Sequence, residues 1–321
     1  MAPLLTIFLI LHFGAGLVLP YRPGFKPYFY KWVEEAGLDL ERRLNREARP
    51  QSVRIVRGTT VGFMMGALGC LAGIAIRYAA QIPYGLGIQL IFLSCCISLM
   101  TPLKLVRQIQ KHLNANELPQ AIAALQPYLQ VSLENADTHT VIRKTIEFIS
   151  ISLNQFLLAP IFWFLVAGPV GMSLYVTYAA LQQAFGLLDK RRRYFGQFVR
   201  AVDALLNFFP AVLTVIFLTA SALFVSRSSP WRAIKTILQQ SRGYHFRYQG
   251  WLIAALAGGL GVTLGGPVRY NADYAEDLPW VGPSNTSAQL MPEDLARAAL
   301  LQYVFFMCII AMVSGFMILG L

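Results

Sequence analysis

The stretch FLLAPIFWFLVAGPVGMSLYVTY, residues 156–178, determines what kind of fold this chain can adopt. It has no Asp, Glu, Lys or Arg, and it is long enough for one α-helix to cross the roughly 30 Å hydrocarbon core of a bilayer. A spanning segment must be helical or part of a closed barrel, because lipid offers no partner for backbone N–H and C=O groups. The stretch therefore predicts a membrane-embedded helix.

Further apolar runs lie on both sides of this stretch. Five are long, and a Gly-rich sixth is weaker: residues 3–19, 59–76, 83–100, 207–225, 298–321 and, weaker, 251–267. The chain is 56% hydrophobic and 13% charged, with a mean hydropathy of +0.51, far from the usual composition of a soluble domain. We predict an all-α polytopic membrane protein, one membrane domain over residues 1–321, with about five to seven membrane-embedded helices plus cytoplasmic amphipathic helices. No run alternates strictly enough to predict a strand.

The formal net charge of +11 comes from basic residues that collect between the apolar runs. Residues 21–57 carry nine Lys or Arg, whereas residues 77–83 carry only Arg77. By the positive-inside rule residues 21–57 and 101–147 are cytoplasmic, so the charge indicates anionic lipid rather than nucleic acid as neighbour. Residues 226–249 are also basic, yet they would lie outside the cell if the run at 207–225 crossed the membrane fully. Either that run is re-entrant or buried within the bundle, or the positive-inside rule is broken there.

Three polar segments carry most of the structural information outside the apolar runs. Residues 101–147 show helical periodicity on both sides of Pro119, which predicts a cytoplasmic helical insertion. Residues 190–209 predict a basic amphipathic helix, either lying in the membrane interface beside a site or held half-exposed on a bundle. Residues 268–292 form a polar loop, and the Pro292, Glu293 and Asp294 that end it are typical of a helix start.

No motif predicts a metal site or a confident catalytic residue. The four histidines are scattered, and the four cysteines lie inside apolar runs without metal-ligand spacing. No acid stands in the middle of an apolar run, which disfavours proton-coupled transport. The polar loop nevertheless clusters acids with Tyr270 and Trp280, as a lid or surface loop over a binding pocket would.

Several motifs in collinear order resemble the CbiB/CobD family of adenosylcobinamide-phosphate synthases, to which the membrane regulator AmpE is distantly similar. They are ERRLNR at residues 41–46, APIFW at 159–163 followed by Gly168-Pro169, RYFG at 193–196, Asp203 with Asn207 and Pro210, the Gly-rich 250–267 and Pro279-Trp280. The resemblance covers nearly the whole chain. It implies formation of an amide between adenosylcobyric acid and an aminopropanol phosphate, with Mg-ATP and a corrinoid if that activity is retained.

The chain departs from the family pattern where oxygen ligands are expected. Charged or amide residues of the family are replaced at Ile151, Ser152, Gln155, Ala179, Gln182 and Ile253. The remaining candidates for ligand binding are Glu147, Asp203, Asn207, Tyr270, Asp273, Glu276 and Trp280. Loss of ligating oxygen with retention of prolines and small residues favours a pseudoenzyme, in which architecture persists after chemistry is lost.

Three functional hypotheses follow. The first is a catalytically degenerate CbiB/CobD-like protein of the bacterial inner membrane, acting as scaffold, regulator or complex partner, with the lipid bilayer and a protein partner or homo-oligomer as its neighbours. The second is an active synthase with a divergent site. The third is an AmpE-like membrane signalling protein, or another ligand-binding or transport role on the same fold.

Overall fold

The computed structural model describes residues 6, 8, 26–83, 85–98, 100–244, 246–270, 274–284 and 286–318. Over these residues the chain is helical apart from one β-hairpin, as predicted for an all-α membrane protein. It divides into two compact units. The described residues of the first unit lie at 6, 8, 26–98 and 155–208, and those of the second at 100–154 and 209–318.

The elements follow one another with short connections. In chain order they are α1 Tyr28–Leu44, α2 Gln51–Ala79, α3 Gly85–Cys96, α4 Met100–Asn114, α5 Leu118–Leu125, α6 Thr138–Leu153, α7 Ala159–Phe185, α8 Gln197–Ser221, α9 Pro230–Gln240, α10 Arg247–Leu260, β1 Leu264–Arg269, β2 Ala275–Val281 and α11 Pro292–Ile318. A π-turn, Asn154–Leu158, joins α6 to α7 without a break. Inside α7 the helix kinks at Gly168, where φ is +64° and the next residue is proline.

Four helices of the described part are long and apolar enough to cross a membrane. They lie within Gln51–Ala79, Thr138–Phe185, Gln197–Phe224 and Pro292–Gly315. The predicted run at 83–100 forms the 12-residue α3, which at 1.5 Å per residue reaches only about 18 Å. The run at 251–267 forms α10 and then enters the hairpin. The run at 3–19 lies almost entirely outside the described residues.

The first unit is built on a glycine face of α2 that packs against α7. Ser173 Oγ donates to the carbonyl oxygen of Gly69 at 2.6 Å, and Tyr178 Oη donates to that of Gly62 at 3.2 Å. A Cβ at Gly66 would stand 2.6 Å from Tyr178 Oη, so a larger residue there would have to displace the Tyr178 ring. Small residues drive this packing because apolar burial gives little preference for helix–helix over helix–lipid contact inside a bilayer.

The second unit gathers α4, α5, α6, α10 and α11 around buried apolar side chains such as Ile142, Ile149 and Leu256. The helix start predicted at 292–294 is present: α11 begins at Pro292, and Asp294 Oδ2 accepts from the backbone N–H of Met291 at 3.0 Å. In the predicted insertion at 101–147, α4 packs on α5, and α6 begins at Thr138. The location of this insertion in the cytoplasm, like the single-domain assignment, stays a prediction.

The expectation that no strand forms is wrong. Strands β1 and β2 pair antiparallel, with Leu264 opposite Val281 and Arg269 opposite Ala275, and the register is irregular between Gly265 and Pro267. The predicted polar loop 268–292 therefore contains the end of β1 and all of β2. The alternation of apolar and polar side chains that predicts a strand is absent here because β1 contains two glycines and a proline. Gly265 and Gly266 both have positive φ, at +85° and +80°.

The prediction of an amphipathic helix over 190–209 is also corrected. The helix begins at Gln197 and continues into the apolar run, and residues 190–196 form turns. Part of each predicted face points the other way: Asp203 and Asn207 are 1% exposed, whereas Leu205 is 70% and Phe209 60% exposed, although Val199 is buried. A helix in hydrocarbon turns its apolar side chains to lipid and buries its polar ones in protein.

Candidate functional site

The centre of the candidate site is a buried ion pair on α6. Lys144 Nζ lies 2.6 Å from Glu147 Oε2, and the two residues are only 4% and 8% exposed. The second carboxylate oxygen, Oε1, accepts from the backbone N–H of Gly265 at 2.8 Å. Both oxygens of Glu147 are thus engaged by protein donors, one of them charged.

The hairpin geometry brings the Gly265 N–H to Glu147. A Cβ on Gly265 would collide with the carbonyl oxygen of Pro279, and one on Gly266 would lie 2.5 Å from the Trp280 ring. Only glycines with positive φ allow β1 to approach β2 and α6 this closely. Trp280 in turn has the Arg143 guanidinium over its ring, 4.9 Å from the ring centroid.

Two tyrosines complete the site. Burial raises the pKa of the Tyr244 phenol well above its ordinary value, and the nearby Glu147 carboxylate raises it further. Burial likewise raises the pKa of Tyr270, together with Glu276, Tyr274 and Glu147. Both phenols are therefore protonated at neutral pH and carry an O–H that can donate a hydrogen bond. We call Arg143, Lys144, Glu147, Tyr244, Tyr270 and Trp280 the hairpin cluster.

The hairpin cluster carries unused hydrogen-bonding capacity. Tyr244 Oη and Arg143 Nε are buried and have no hydrogen-bond partner among the residues that the structure describes. Arg143 does donate through Nη2 to Thr140 Oγ1 at 3.1 Å. A cluster with two cations, one engaged carboxylate and protonated phenols is suited to bind an anionic or carbonyl group rather than a metal ion.

A second polar cluster lies inside the first unit. Asn207 Nδ2 donates to the Asp203 carbonyl oxygen and to Asp203 Oδ1, both at 3.0 Å, and Tyr175 Oη donates to Asn207 Oδ1 at 3.0 Å. Gln155 Nε2 donates to Tyr30 Oη at 2.7 Å, and Tyr30 Oη donates to the Ala179 carbonyl oxygen at 3.1 Å. Burial raises the pKa of Tyr30 well above its ordinary value, with Glu34, Tyr175 and Asp203 adding to it.

The seven predicted ligand-binding residues are therefore divided. Glu147, Tyr270 and Trp280 belong to the hairpin cluster, and Glu276 borders it, its Oε2 accepting from Tyr274 Oη at 3.4 Å. Asp203 and Asn207 belong to the first unit. Asp273 lies outside the described residues.

The degenerate positions are divided in the same way. Ile151, Ser152 and Ile253 lie in the second unit, and Gln155, Ala179 and Gln182 lie in the first. Ser152 Oγ donates to the Ile149 carbonyl oxygen at 3.0 Å, as serines in helices commonly do. Gln182 Oε1 is buried without a hydrogen-bond partner among the described residues.

Sequence reasoning missed Arg143, Lys144, Tyr244, Tyr30 and Tyr175. The first two had a usable signal, because two cations next to each other, with Glu147 one turn later, are unusual in a helix whose other side chains are mostly buried. The tyrosines had none: Tyr30 and Tyr175 are far apart in the chain, and only the packing of the first unit brings them together.

The residues present do not fit the magnesium that the family resemblance implies. In the part of the chain that the structure describes, no three His, Cys, Asp or Glu side chains are grouped to hold a metal ion. Glu147 is engaged by Lys144 and Gly265, and Asp203 Oδ1 by Asn207. Mg²⁺ prefers several oxygen ligands in octahedral geometry, which these engaged carboxylates do not supply.

Fold and site together define a polytopic α-helical membrane protein with buried polar clusters. Residues 15–302 match the family model described as CobD/Cbib protein. The chain belongs to the CobD/CbiB family.

Named relatives agree with this assignment. The chain is 29% identical to the cobalamin biosynthesis protein CobD of Rhodobacter capsulatus, over 83% of this chain and 82% of that one. It is 34% identical to CobD of Chromobacterium violaceum over 50% of this chain and 49% of that one. It is 22% identical to the cobalamin biosynthesis protein CbiB of Salmonella choleraesuis, over 88% of each. No solved structure shows significant similarity.

Proposed function

We propose that this CobD/CbiB-family protein serves cobalamin biosynthesis in the bacterial inner membrane as a catalytically degenerate scaffold, regulator or complex partner. The observation that carries the proposal is the engagement of both Glu147 oxygens by protein donors, Lys144 Nζ and the Gly265 N–H. Glu147 is the acid that the chain retains near the replaced positions Ile151, Ser152 and Gln155.

The energetics of the ion pair support this proposal. If Glu147 turned to a metal ion, Lys144 would be left as an uncompensated buried cation, which costs about 3–5 kcal/mol in comparable cases. The pair acts instead as a structural link between α6 and the hairpin.

A second candidate function is the active synthase. The chain matches the family model over residues 15–302, and the reported relatives are named for cobalamin biosynthesis, so nothing in them supports AmpE-like signalling. An active synthase would need Mg-ATP and a corrinoid. The sequence offers these candidate residues for its chemistry: Glu147, Asp203, Asn207, Asp273 and Glu276. The protonated phenols and Arg143 would then bind anionic parts of the substrates.

Complementation separates the two candidates. The full-length chain is expressed in a bacterium that lacks its own CobD/CbiB protein, under conditions where growth requires newly made cobalamin, and membrane insertion is verified by fractionation. We expect no rescue. Rescue that the Glu147→Gln variant abolishes, at equal membrane abundance, would establish the synthase instead.

A second experiment tests the scaffold role itself. The protein is purified from its native membrane in mild detergent after chemical cross-linking, and co-purifying proteins are identified by mass spectrometry. We expect enzymes of cobalamin biosynthesis to be enriched over a control membrane protein of the same abundance. Recovery of the chain without enriched partners, as a monomer, contradicts the scaffold proposal.

A further inference from the structure

The turn between α7 and α8 carries four consecutive cations, Lys190, Arg191, Arg192 and Arg193. Asp189 caps this turn: its Oδ1 accepts from the N–H of Arg192 at 2.7 Å, and its carbonyl oxygen accepts from that of Arg193 at 2.9 Å. Asp189 is only 9% exposed, so its carboxylate is directed inward, while Lys190 and Arg193 are exposed. The turn therefore presents cations outward and keeps its nearby acid inside.

Buried residues of α1, of its C-cap and of α2 hold this turn in place. Asn45 Nδ2 donates to the Arg191 carbonyl oxygen at 2.7 Å, and the Arg54 guanidinium donates to the same oxygen. Arg54 Nε also donates to Asn45 Oδ1 at 2.9 Å, while Glu41 pairs with Arg191 Nε at 2.9 Å. Glu41, Asn45 and Arg54 are 1%, 2% and 6% exposed.

This network links the family motif ERRLNR at 41–46 to the 190–193 turn, whose last residue begins the family motif RYFG at 193–196; the proposed function uses neither motif. A buried, fully bonded polar network fixes backbone geometry, because any movement would leave desolvated polar groups unpaired. The positions of the outward cations are therefore preorganised.

We infer from the spans that it connects that the turn lies near the membrane surface. It links helices α7 and α8, both within candidate spans, and it contacts the first turn of α2, a third candidate span. Residues 39–57 and 189–200 together carry eleven Lys or Arg against four carboxylates, of which Glu41 and Asp189 are buried. We call the exposed cations of these two segments the basic end.

Apolar side chains stand beside the cations of the basic end. Val53 and Val56, between Arg49 and Arg57, are 37% and 64% exposed. Tyr194 lies between two guanidinium groups, with Arg54 at 5.8 Å and Arg193 at 6.0 Å from its ring centroid. A surface that offers cations and exposed valines side by side suits a molecule with an anionic head and an apolar body.

We propose that the basic end is a binding site for anionic phospholipids of the membrane that contains the protein, with the headgroup phosphate on the cations of the 190–193 turn. Arginine forms paired hydrogen bonds with phosphate oxygens, and Arg192 Nε is buried without a partner among the described residues. Exposed Val53 and Val56 are placed to meet the acyl chains.

The test uses the full-length protein in detergent and native mass spectrometry, with phosphatidylglycerol, phosphatidylcholine and glycerol 1-phosphate as probes. We expect phosphatidylglycerol to bind most tightly, and glycerol 1-phosphate to compete poorly because it lacks acyl chains. The K190Q/R192Q/R193Q variant should bind phosphatidylglycerol about tenfold more weakly or worse, given the attraction of each cation to anionic headgroups. Equal binding of phosphatidylcholine, or full displacement by equimolar glycerol 1-phosphate, overturns the proposal.

The matched control removes three exposed cations elsewhere, in the K235Q/R242Q/R247Q variant. It should bind phosphatidylglycerol within about twofold of the unmodified protein. If this control lost as much affinity for phosphatidylglycerol as K190Q/R192Q/R193Q, the effect would come from net charge alone and the proposal would be overturned. Asn45→Ala, which changes no charge, should also weaken binding if it elutes as a folded species in size-exclusion chromatography; unchanged binding by such a folded variant overturns the preorganisation.

Discussion

Lys144 and Glu147 stand one turn apart on α6, where 12 of 16 residues are buried. Exposed pairs of this kind contribute little to stability, because water solvates both partners well. Because this pair is buried, water solvates neither charge, and removing one partner destabilises the other. At this scale the chemistry of the hairpin cluster and the stability of the second unit rest on the same pair.

Replacing Lys144 by Met tests this dependence. We expect a loss of about 3–5 kcal/mol, because the Glu147 carboxylate would be left buried and without its cation. Chemical unfolding in detergent, followed by tryptophan fluorescence, measures the change. The double variant K144M/E147Q should regain much of the loss, since no buried charge remains.

Arg43→Met is the matched control for this prediction. Arg43 pairs with Asp39 at 2.9 Å on α1, but their side chains are 73% and 54% exposed. We expect a change of less than about 1 kcal/mol. A similar loss in Arg43→Met and Lys144→Met would contradict the role assigned to burial.

Asp137 is the N-cap of α6 and gives a prediction about acid stability. Its side chain accepts from the backbone N–H of Thr140 at 2.9 Å. Hydrogen bonding to Thr140, first to its side chain and second to its backbone N–H, lowers the pKa of the Asp137 carboxyl group. A lowered folded-state pKa contributes stability above the unfolded pKa, near 3.9, and the contribution disappears as pH falls through the folded value. It is therefore constant from pH 6 to 8.

The Asp137→Ala variant should lose about 1 kcal/mol at neutral pH. Asp137→Asn, which keeps an acceptor, should lose less than Asp137→Ala. Unfolding curves at pH 7 and pH 3 measure the difference, which should shrink at the lower pH because pH 3 lies below the unfolded pKa near 3.9. A difference between Asp137→Ala and the unmodified protein that grows on acidification would contradict the capping assignment.

At the scale of elements, α2 depends on glycines that admit close approach by α7 and by the turn before α8. A Cβ at Gly58 would fall inside the van der Waals radius of the Phe195 carbonyl oxygen, which belongs to backbone and cannot turn away. The Gly58→Ala variant should therefore lose about 3 kcal/mol or more, as overpacked sites do. Thermal unfolding in detergent detects it as a lower midpoint.

Gly87→Ala on α3 is the control, since nothing lies within 4 Å of a Cβ built there. Alanine is the better helix former by about 1 kcal/mol, so this variant should be neutral or slightly more stable. Equal destabilisation at positions 58 and 87 would contradict the role assigned to close packing at Gly58, because helix propensity alone favours alanine at both positions.

Some elements could be predicted from the sequence and others could not. The run at 59–76 and the start of α11 at Pro292 were predictable, because hydropathy and capping are local properties. The hairpin was not: β1 reads LGGPVR, and its strand conformation depends on glycines whose positive φ is favoured only once Pro279 and Trp280 lie opposite. The direction of Asp203 was not predictable either, because the same amphipathic pattern fits water outside or lipid outside.

At the scale of the whole molecule, the charge distribution predicts orientation. Residues 21–57 are strongly basic and residues 77–83 carry only Arg77, so the basic end should face the cytoplasm. Single cysteines at exposed positions, introduced after replacement of the four native cysteines, test this with a membrane-impermeant thiol reagent. Gln197→Cys should react only after permeabilisation, and Gln81→Cys should react in intact spheroplasts. The opposite pattern would invert the topology.

The sequence by itself determined that this protein is helical, lies in a membrane, and belongs with CobD/CbiB proteins, because these properties follow from hydropathy and from motifs read in order. Only the tertiary structure decided that Glu147 is held by Lys144 and Gly265, that Asp203 and Asn207 face Tyr175, and that Asn45 and Arg54 fix the 190–193 turn. The reason is physical. Whether a polar side chain is free or engaged depends on donors brought from distant parts of the chain, and no local pattern records them.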